Sequence, residues 1–356
     1  MTWTITVAGD PQNVPAEDGE TVLDALLRHG VGFAYSCQAG NCGTCKCEYV
    51  SGELFELEHS EHALSADERS RGIILACRSQ VWSDVQIRRL SAEEFVMHPS
   101  RVMQCRVVEV SFATHDVLRL RLGVESGGPY TFSAGQFAKL QFGFAPDTPR
   151  DYSMANRPDE PVLEFHIRCI AGGVSGYIPS HLKHGDPVRV SGPFGTSYLR
   201  EQHSGPIIGI AGGTGLAPIR SIVASALAKA PDRELHLYFG VRCERDVYAE
   251  AELRAWQVLH PNLEVHIVLS DENEEDAAQH GEGLHGDARV RRYGLVTDAV
   301  RADFAHFQGF QAYLAGPPAM VDAATELLYA GGIAARDIHA DAFYRAAEPA
   351  VTRMPA

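Results

Sequence analysis

"SCQAGNCGTCKC", residues 36–47, places four cysteines within twelve residues. Three of them, Cys37, Cys42 and Cys45, have the spacing C-x4-C-x2-C, and Cys77 follows after a gap of thirty-one residues in "IILACRS". Gly40 and Gly43 interrupt the run. Only glycine turns freely through positive φ, so the loop can fold back with its N–H groups towards the sulfurs. Cys47 falls two residues beyond Cys45 on the strand-like "CKCEYV" and reads as a small hydrophobe.

What the quartet holds follows from compartment and spacing. "TWTITVAGD" after Met1 has no basic leader or long apolar run, and no later segment approaches 18 uninterrupted apolar residues, so a cytoplasmic location is expected. A reducing compartment disfavours a disulfide framework. The x4-x2 spacing with a remote fourth cysteine is that of plant-type 2Fe-2S ligands, whereas zinc, the competing reading, is usually held by two short C-x2-C knuckles. The expected metal ligands are Cys37, Cys42, Cys45 and Cys77. Cys105, Cys169 and Cys243 stand singly in strand-like segments and read as packing residues.

A formal net charge of -15 argues against nucleic acid or an anionic membrane as partner, since both require clustered Lys and Arg. From Cys47 to Glu68 there are seven acids and no Lys or Arg. That run, next to the cysteine loop, suits a basic protein partner.

At 356 residues the chain is too long for one core. Residues 1–90 combine the strand "WTITVAG", the helix "TVLDALLRHG" stopped at Gly30, the cysteine loop and the segment carrying Cys77. Residues 91–101, "SAEEFVMHPSR", read as a linker. Over 102–204, short alternating runs such as "RVVEVSFAT", "DVLRLRLGV" and "LEFHIRCI", separated by Gly and Pro turns, predict a small antiparallel barrel. Over 205–356, "PIIGIAG", "APIRSIVASALAKA", "ELHLYFGV", "AEAELRAWQVLH" and "LEVHIVLS" alternate strand with helix and predict a doubly wound parallel sheet. The polar residues 271–292 read as a solvated excursion.

"AGGTGLAP", residues 211–218, follows a buried strand and opens a helix, where glycines permit close approach of a pyrophosphate to unpaired N–H groups. It lacks the G-x-G-x-x-G form, so alone it indicates only an anion at a helix start. In "HIRCIAGGVSGYI", Gly172 and Gly173 with Val174 and Ser175 can form a second phosphate nest. In "RDYSM", Arg150 offers a planar fork to a pyrophosphate.

Together the cysteine spacing, "RDYSMAN", "GGTGLAP" and "DAFY" resemble the NAD(P)H-dependent reductase components of Rieske-type aromatic-ring dioxygenase and hydroxylase systems, over nearly the whole chain. The resemblance implies a β-grasp plant-type ferredoxin domain, a six-stranded antiparallel flavin barrel and an α/β nucleotide domain, in that order. It implies FAD rather than FMN, held by Arg150, Tyr152, Ser153, His166, Ile167, Gly173, Val174 and Ser175. The nucleotide would meet Gly212, Gly213, Thr214, Gly215, Arg242 and Gly316. Ser153, Thr214 and Phe343 would stand at the reacting rings, Phe343 or Tyr344 stacking on the flavin. "LAGPPAM" has Ala315 where relatives commonly have Cys, which should tune hydride transfer. Asp246 near Arg242 favours a free 2′-hydroxyl, hence NADH, with NADPH left open.

The function so implied is electron transfer from NADH through FAD and a 2Fe-2S cluster to a ferredoxin or Rieske oxygenase. One rival is a ferredoxin-fused reductase serving a phenol or alkene hydroxylase or a deoxysugar-forming system. The other is a redox sensor, for which the sequence offers no effector or DNA-binding module.

Overall fold

The computed structural model describes residues 2–61, 63–90, 96, 98–273 and 291–344. Most of the expected linker (91–95 and 97), residues 274–290 of the polar excursion and the tail 345–356 lie outside the described residues.

The first domain runs β1 (Thr2–Val7), β2 (Asn13–Glu17), α1 (Val22–Arg28), β3 (Lys46–Ser51), β4 (Leu54–Glu56), α2 (Ala66–Ser70), β5 (Ile73–Leu75), β6 (Ser79–Val81) and β7 (Val85–Arg89). Its main sheet has the order β2-β1-β7-β3-β5, with β1 and β7 parallel, and α1 packs on it in a β-grasp. Thr21 starts α1 by accepting the Asp24 N–H at 3.1 Å. Gly30, at φ +72°, ends it: its N–H reaches the Leu27 carbonyl while that of Val31 reaches Leu26. Val22, Leu23, Ala25 and Leu26 thereby face Ile5, Val14, Val85 and Ile87 in one core. Each such leucine contributes about 1.5–3 kcal/mol by leaving water.

Two elements depart from the sequence reading. The acidic run contains α2, which Ser65 and Glu68 fix with a reciprocal capping box. The apolar segment 71–90 divides into β5, a turn at Ala76–Arg78, β6 and β7.

The second domain comprises β8 (Arg101–Phe112), β9 (Val117–Ser126), β10 (Phe137–Phe142), β11 (Ala145–Ser153), β12 (Val162–Arg168), α3 (Val174–His181) and β13 (Pro187–Phe194). The antiparallel order is β11-β10-β13-β8-β9-β12, and a bridge between Met154 and Phe165 joins the two end strands into a barrel. Met103, Leu120, Leu140, Phe165 and Val190 fill it. Pro146 and Pro149 are tolerated because β11 pairs in the ladder only with β10.

The third domain comprises β14 (Ile207–Gly212), α4 (Leu216–Lys229), β15 (Leu235–Val241), α5 (Glu250–Leu259), β16 (Leu263–Leu269), β17 (Arg291–Tyr293), α6 (Val296–Asp303), β18 (Gln311–Gly316), α7 (Pro318–Ala330) and β19 (Ile338–Ala342). All six strands are parallel, in the order β17-β16-β15-β14-β18-β19. Helices α4 and α5 cover one face, α6 and α7 the other. The chain builds outward from β14 to β17, then returns to lay β18 on the far side of β14. The resulting switch point, at the carboxyl ends of β14 and β18, is where open α/β sheets receive ligands.

Candidate functional site

Strand pairing assembles the thiols. Lys46 pairs with Leu75, and the Ala76 N–H reaches the Cys45 carbonyl at 3.0 Å, which brings Cys77 beside Cys45 with sulfurs 3.2 Å apart. Gln38, Gly40 and Gly43 all have positive φ, and the N–H groups of Ala39 and Asn41 each approach the Cys37 sulfur at 3.4 Å. A Cβ on Gly40 would lie 2.8 Å from the side chains of Arg78 and His59, so the loop admits no side chain there. The Cys42 thiol and three backbone N–H groups bring the Cys37 thiol down to about 5 against the cost of burial. The Cys45 thiol likewise lowers Cys77. Four sulfurs in two close pairs, two of them favoured as thiolates, fit a cluster whose irons each take two thiolates. Cys47 is fully buried in the domain core, its thiol pushed up to about 12 by that burial, and Cys105 is buried in the barrel core.

In the barrel, Phe137 pairs with Ser153, Ala138 with Tyr152 and Leu140 with Arg150. Alternation on β11 therefore sets Arg150 and Tyr152 on one face and Ser153 on the other. Tyr152 packs on the barrel core, and Arg150 is half-buried and, among the described residues, donates only to the carbonyl of its neighbour Pro149. Helix α3, capped by Gly173, packs against β11 and β12. Gly172 takes φ +78°, and Ser175 accepts the Ile170 N–H at 3.1 Å. An arginine fork and a glycine-opened helix start on neighbouring elements fit a pyrophosphate. Ile167 is buried in the barrel core.

His166 is wholly buried between barrel and nucleotide domain. Its Nε2 lies 3.1 Å from Glu164, its Nδ1 3.1 Å from the Tyr248 hydroxyl, and that hydroxyl 3.4 Å from the Gly213 carbonyl. Burial holds the imidazole below its ordinary pKa, so it is neutral at pH 7. Burial also opposes the Glu164 charge, yet the hydrogen bond from His166 and the guanidinium groups of Arg220 and Arg119 bring the carboxyl down to about 2. Arg220 on α4 also donates to the Ala155 carbonyl at 2.6 Å, and Ser221 to that of Asn156 at 2.6 Å. These bonds fix α4, and with it the glycine loop, against the end of the flavin motif.

At the switch point, Gly212, Gly213, Thr214 and Gly215 turn from β14 into α4. A Cβ on Gly215 would lie 2.0 Å from the Ala315 carbonyl oxygen, and one on Gly316, at φ +140°, 2.8 Å from the Gly212 oxygen. Backbone thus meets backbone across β14 and β18, leaving the N–H groups of the loop for a phosphate group. The Phe343 N–H binds the Gly316 carbonyl at 2.8 Å, and its ring packs against the domain core. Arg242 is exposed at the end of β15, its Nε 3.4 Å from Asp246.

Sequence reasoning passed over Asp341. Its carboxylate, buried beside the nucleotide sheet, accepts hydrogen bonds from Ser36 at 3.0 Å and Ser153 at 3.3 Å. Burial raises its pKa to about 6 despite both hydroxyls. Asp341 is the first residue of "DAFY", ahead of the aromatics Phe343 and Tyr344.

Three family models match in chain order: a 2Fe-2S iron-sulfur cluster binding domain over residues 5–81, an oxidoreductase FAD-binding domain over 104–198 and an oxidoreductase NAD-binding domain over 210–326. The chain is 41% identical to the ferredoxin–NAD(P)(+) reductase component of naphthalene 1,2-dioxygenase/salicylate 5-hydroxylase systems of a Ralstonia species, over 92% of this chain and 95% of that one. It belongs to the ferredoxin–NAD(P)(+) reductase components. The naphthalene 1,2-dioxygenase system reductase component of Pseudomonas putida is 39% identical to this reductase, over 93% and 95% of the two chains. Among solved structures, an Amycolatopsis cytochrome P450 reductase superposes with a TM-score of 0.79 at 36% identity, covering 96% of this chain and 99% of that one. The cofactors are a 2Fe-2S cluster, FAD and NAD(P)H, and the reductase carries electrons from NADH to the cluster. No helix among the described residues is long and apolar enough to cross a membrane.

Proposed function

We propose that this chain is the reductase component of a cytoplasmic Rieske-type aromatic-ring oxygenase system and delivers electrons to a ferredoxin or to the oxygenase itself. The observation that carries this reading is the likeness, over more than nine-tenths of the chain, to two reductase components named for naphthalene dioxygenase systems. When bound, FAD takes a hydride from NADH as an electron pair and releases electrons singly to the 2Fe-2S cluster.

The place of each residue supports the part proposed for it. Cys37, Cys42, Cys45 and Cys77 hold the cluster, in the pairs that their close approach defines. Arg150, Gly173, Val174 and Ser175 hold the flavin pyrophosphate, and Tyr152 and Ser153 meet the flavin itself. His166 and Ile167 support that site, His166 as a neutral brace between Glu164 and Tyr248. Gly212, Gly213, Thr214, Gly215 and Gly316 receive the nucleotide, with Thr214 towards the nicotinamide and Phe343 stacking on the flavin. Arg242 has Asp246 as a counter-charge, which supports NADH over NADPH.

A second reading has its own support. The reductase subunit of an Amycolatopsis aromatic O-demethylase is 38% identical over 96% of this chain, and the cytochrome P450 reductase superposes better than the carbazole 1,9a-dioxygenase ferredoxin reductase, whose TM-score is 0.69. Reconstitution decides between them. NADH oxidation coupled to cis-dihydroxylation or ring hydroxylation by a Rieske oxygenase supports the first reading, and coupling only to a P450 overturns it.

A further inference from the structure

We infer that Ser36, Asp341 and Ser153 form a three-domain joint that fixes the cluster loop against the flavin strand, with Asp341 as its positioning residue. Ser36 belongs to the ferredoxin domain and immediately precedes Cys37. Ser153 ends the flavin motif in the barrel. Asp341 lies on β19 of the nucleotide domain, paired with Ala315 beside the switch point. The two serine hydroxyls donate to separate oxygens of the one carboxylate, at 3.0 Å to Oδ1 and 3.3 Å to Oδ2.

The surroundings make this a joint rather than a surface contact. Ser36, Ser153 and Asp341 are only 4%, 7% and 8% exposed. A buried carboxylate held by two neutral hydroxyls stabilises a fold poorly compared with an apolar side chain of similar size, so its contribution lies in placement. Each of the three domains has its own apolar core and does not need the bond to fold. Next along the chain, Tyr35 is tied to the barrel. Its N–H reaches Thr196 Oγ1 at 3.1 Å, while the Thr196 hydroxyl and N–H reach its carbonyl at 3.0 and 3.1 Å. Phe194 packs against the ferredoxin core. Residues 35 and 36 are therefore pinned to two different domains directly before the first cluster ligand.

The inference rests on the reading that Cys37 holds the cluster and that Ser153 lies at the flavin. Electron transfer between fixed centres falls steeply with separation, whereas hydride transfer within the other two domains does not depend on the cluster loop. The joint thus governs the second step and leaves the first alone.

The test uses full-length holoprotein as wild type, Ser36→Ala, Ser36→Thr and Thr196→Val, with iron and FAD content measured for each. Hydrogen–deuterium exchange at residues 33–39 reads the joint directly. Rapid mixing with NADH then follows flavin bleaching and cluster reduction at separate wavelengths. Loss of a hydrogen bond to a carboxylate should raise exchange in that segment about tenfold in Ser36→Ala. Thr196→Val should act in the same direction, and Ser36→Thr, which keeps the hydroxyl, should restore protection. Cluster reduction should slow in Ser36→Ala while flavin bleaching keeps the wild-type rate. Wild-type exchange in both Ser36→Ala and Thr196→Val overturns the joint whatever the cofactors do. Raised exchange with unaltered cluster reduction overturns its role in electron transfer. Failure of wild type to bind FAD or iron would instead refute the functional reading, and the exchange measurement would still decide the joint.

Discussion

The sulfurs of Cys45 and Cys77 lie 3.2 Å apart although the residues are 32 positions apart in the chain. The antiparallel pairing of β3 with β5 brings them together, so the fourth ligand of the site is delivered by the sheet rather than by the loop. Half of the cluster site therefore depends on the fold of the first domain, and half on the glycine-turned loop bearing Cys37 and Cys42.

Replacing Cys42 should consequently damage the cluster without unfolding the protein. A hydroxyl is a poor substitute for a thiolate on iron, and the barrel and nucleotide domains retain separate cores. Cys42→Ser should lose bound iron and acid-labile sulfide, keep FAD and keep NADH oxidation by ferricyanide. Its reduction of cytochrome c should fall about tenfold or more, in line with the cost of disturbing a metal's ligands. Partner reduction at the wild-type rate with matched FAD would show that electrons bypass the cluster.

Local patterns in the sequence carried the outline of this molecule. The four ligands, the alternating barrel strands and the strand–helix alternation of the third domain all rest on nearest-neighbour periodicity or spacing, which a single chain displays. Contacts across domains have no such signature. Nothing around Asp341 announces that its carboxylate meets Ser36 and Ser153, and nothing in "HIRC" shows that His166 would be enclosed by Tyr248 and Glu164. Helix α2 is hard to read from sequence for a different reason. It has five residues, none buried, so it lacks the apolar stripe that marks a helix, although its Ser65–Glu68 cap was legible.

The acids between Cys47 and Glu68 are partly engaged within the domain. Glu48 pairs with Arg88, Glu68 with Lys46 and Asp67 with Arg71, whereas Glu53, Glu58 and Glu61 are exposed. If this surface steers a basic acceptor, rising salt should slow reduction of the protein partner much more than reduction of ferricyanide. Initial rates at a series of ionic strengths measure both. Equal salt sensitivity would reduce the acidic run to solvation.

Glu164 makes stability depend on acid. Its carboxyl is held at about 2 in the folded protein against an ordinary value of 4.5, by His166, Arg220 and Arg119 working against burial. A lowered folded pKa contributes stability that is present above pH 4.5 and lost as pH falls towards 2. The size is about 3 kcal/mol at neutral pH. Urea unfolding at pH 7 and at pH 3 should show wild type losing more stability than Glu164→Gln over that interval, and the variant should be weaker at pH 7. Parallel losses in the two proteins would remove Glu164 as a source of acid sensitivity.

The nucleotide loop offers a test that separates it from the flavin site. A methyl group on Gly215 would stand 2.0 Å from the Ala315 carbonyl oxygen and 2.9 Å from the Gly316 nitrogen, both backbone atoms of the adjoining strand end. Neither can swing aside as a side chain would, so Gly215→Ala must push the loop away from β18. Overpacking of this kind costs about 1–3 kcal/mol. The loop's N–H groups would no longer face the switch point, and KM for NADH should rise while FAD and iron contents stay at wild-type levels. Arg150→Ala alters the other site: FAD should dissociate more readily, all NADH-driven activities should fall together, and added FAD should restore part of them. The two variants therefore differ in what rescues them, excess NADH for Gly215→Ala and excess FAD for Arg150→Ala. Rescue of Gly215→Ala by FAD instead would mean that the β14–β18 crossing supports the flavin rather than the nucleotide, and the placement of the pyrophosphate at the switch point would fail.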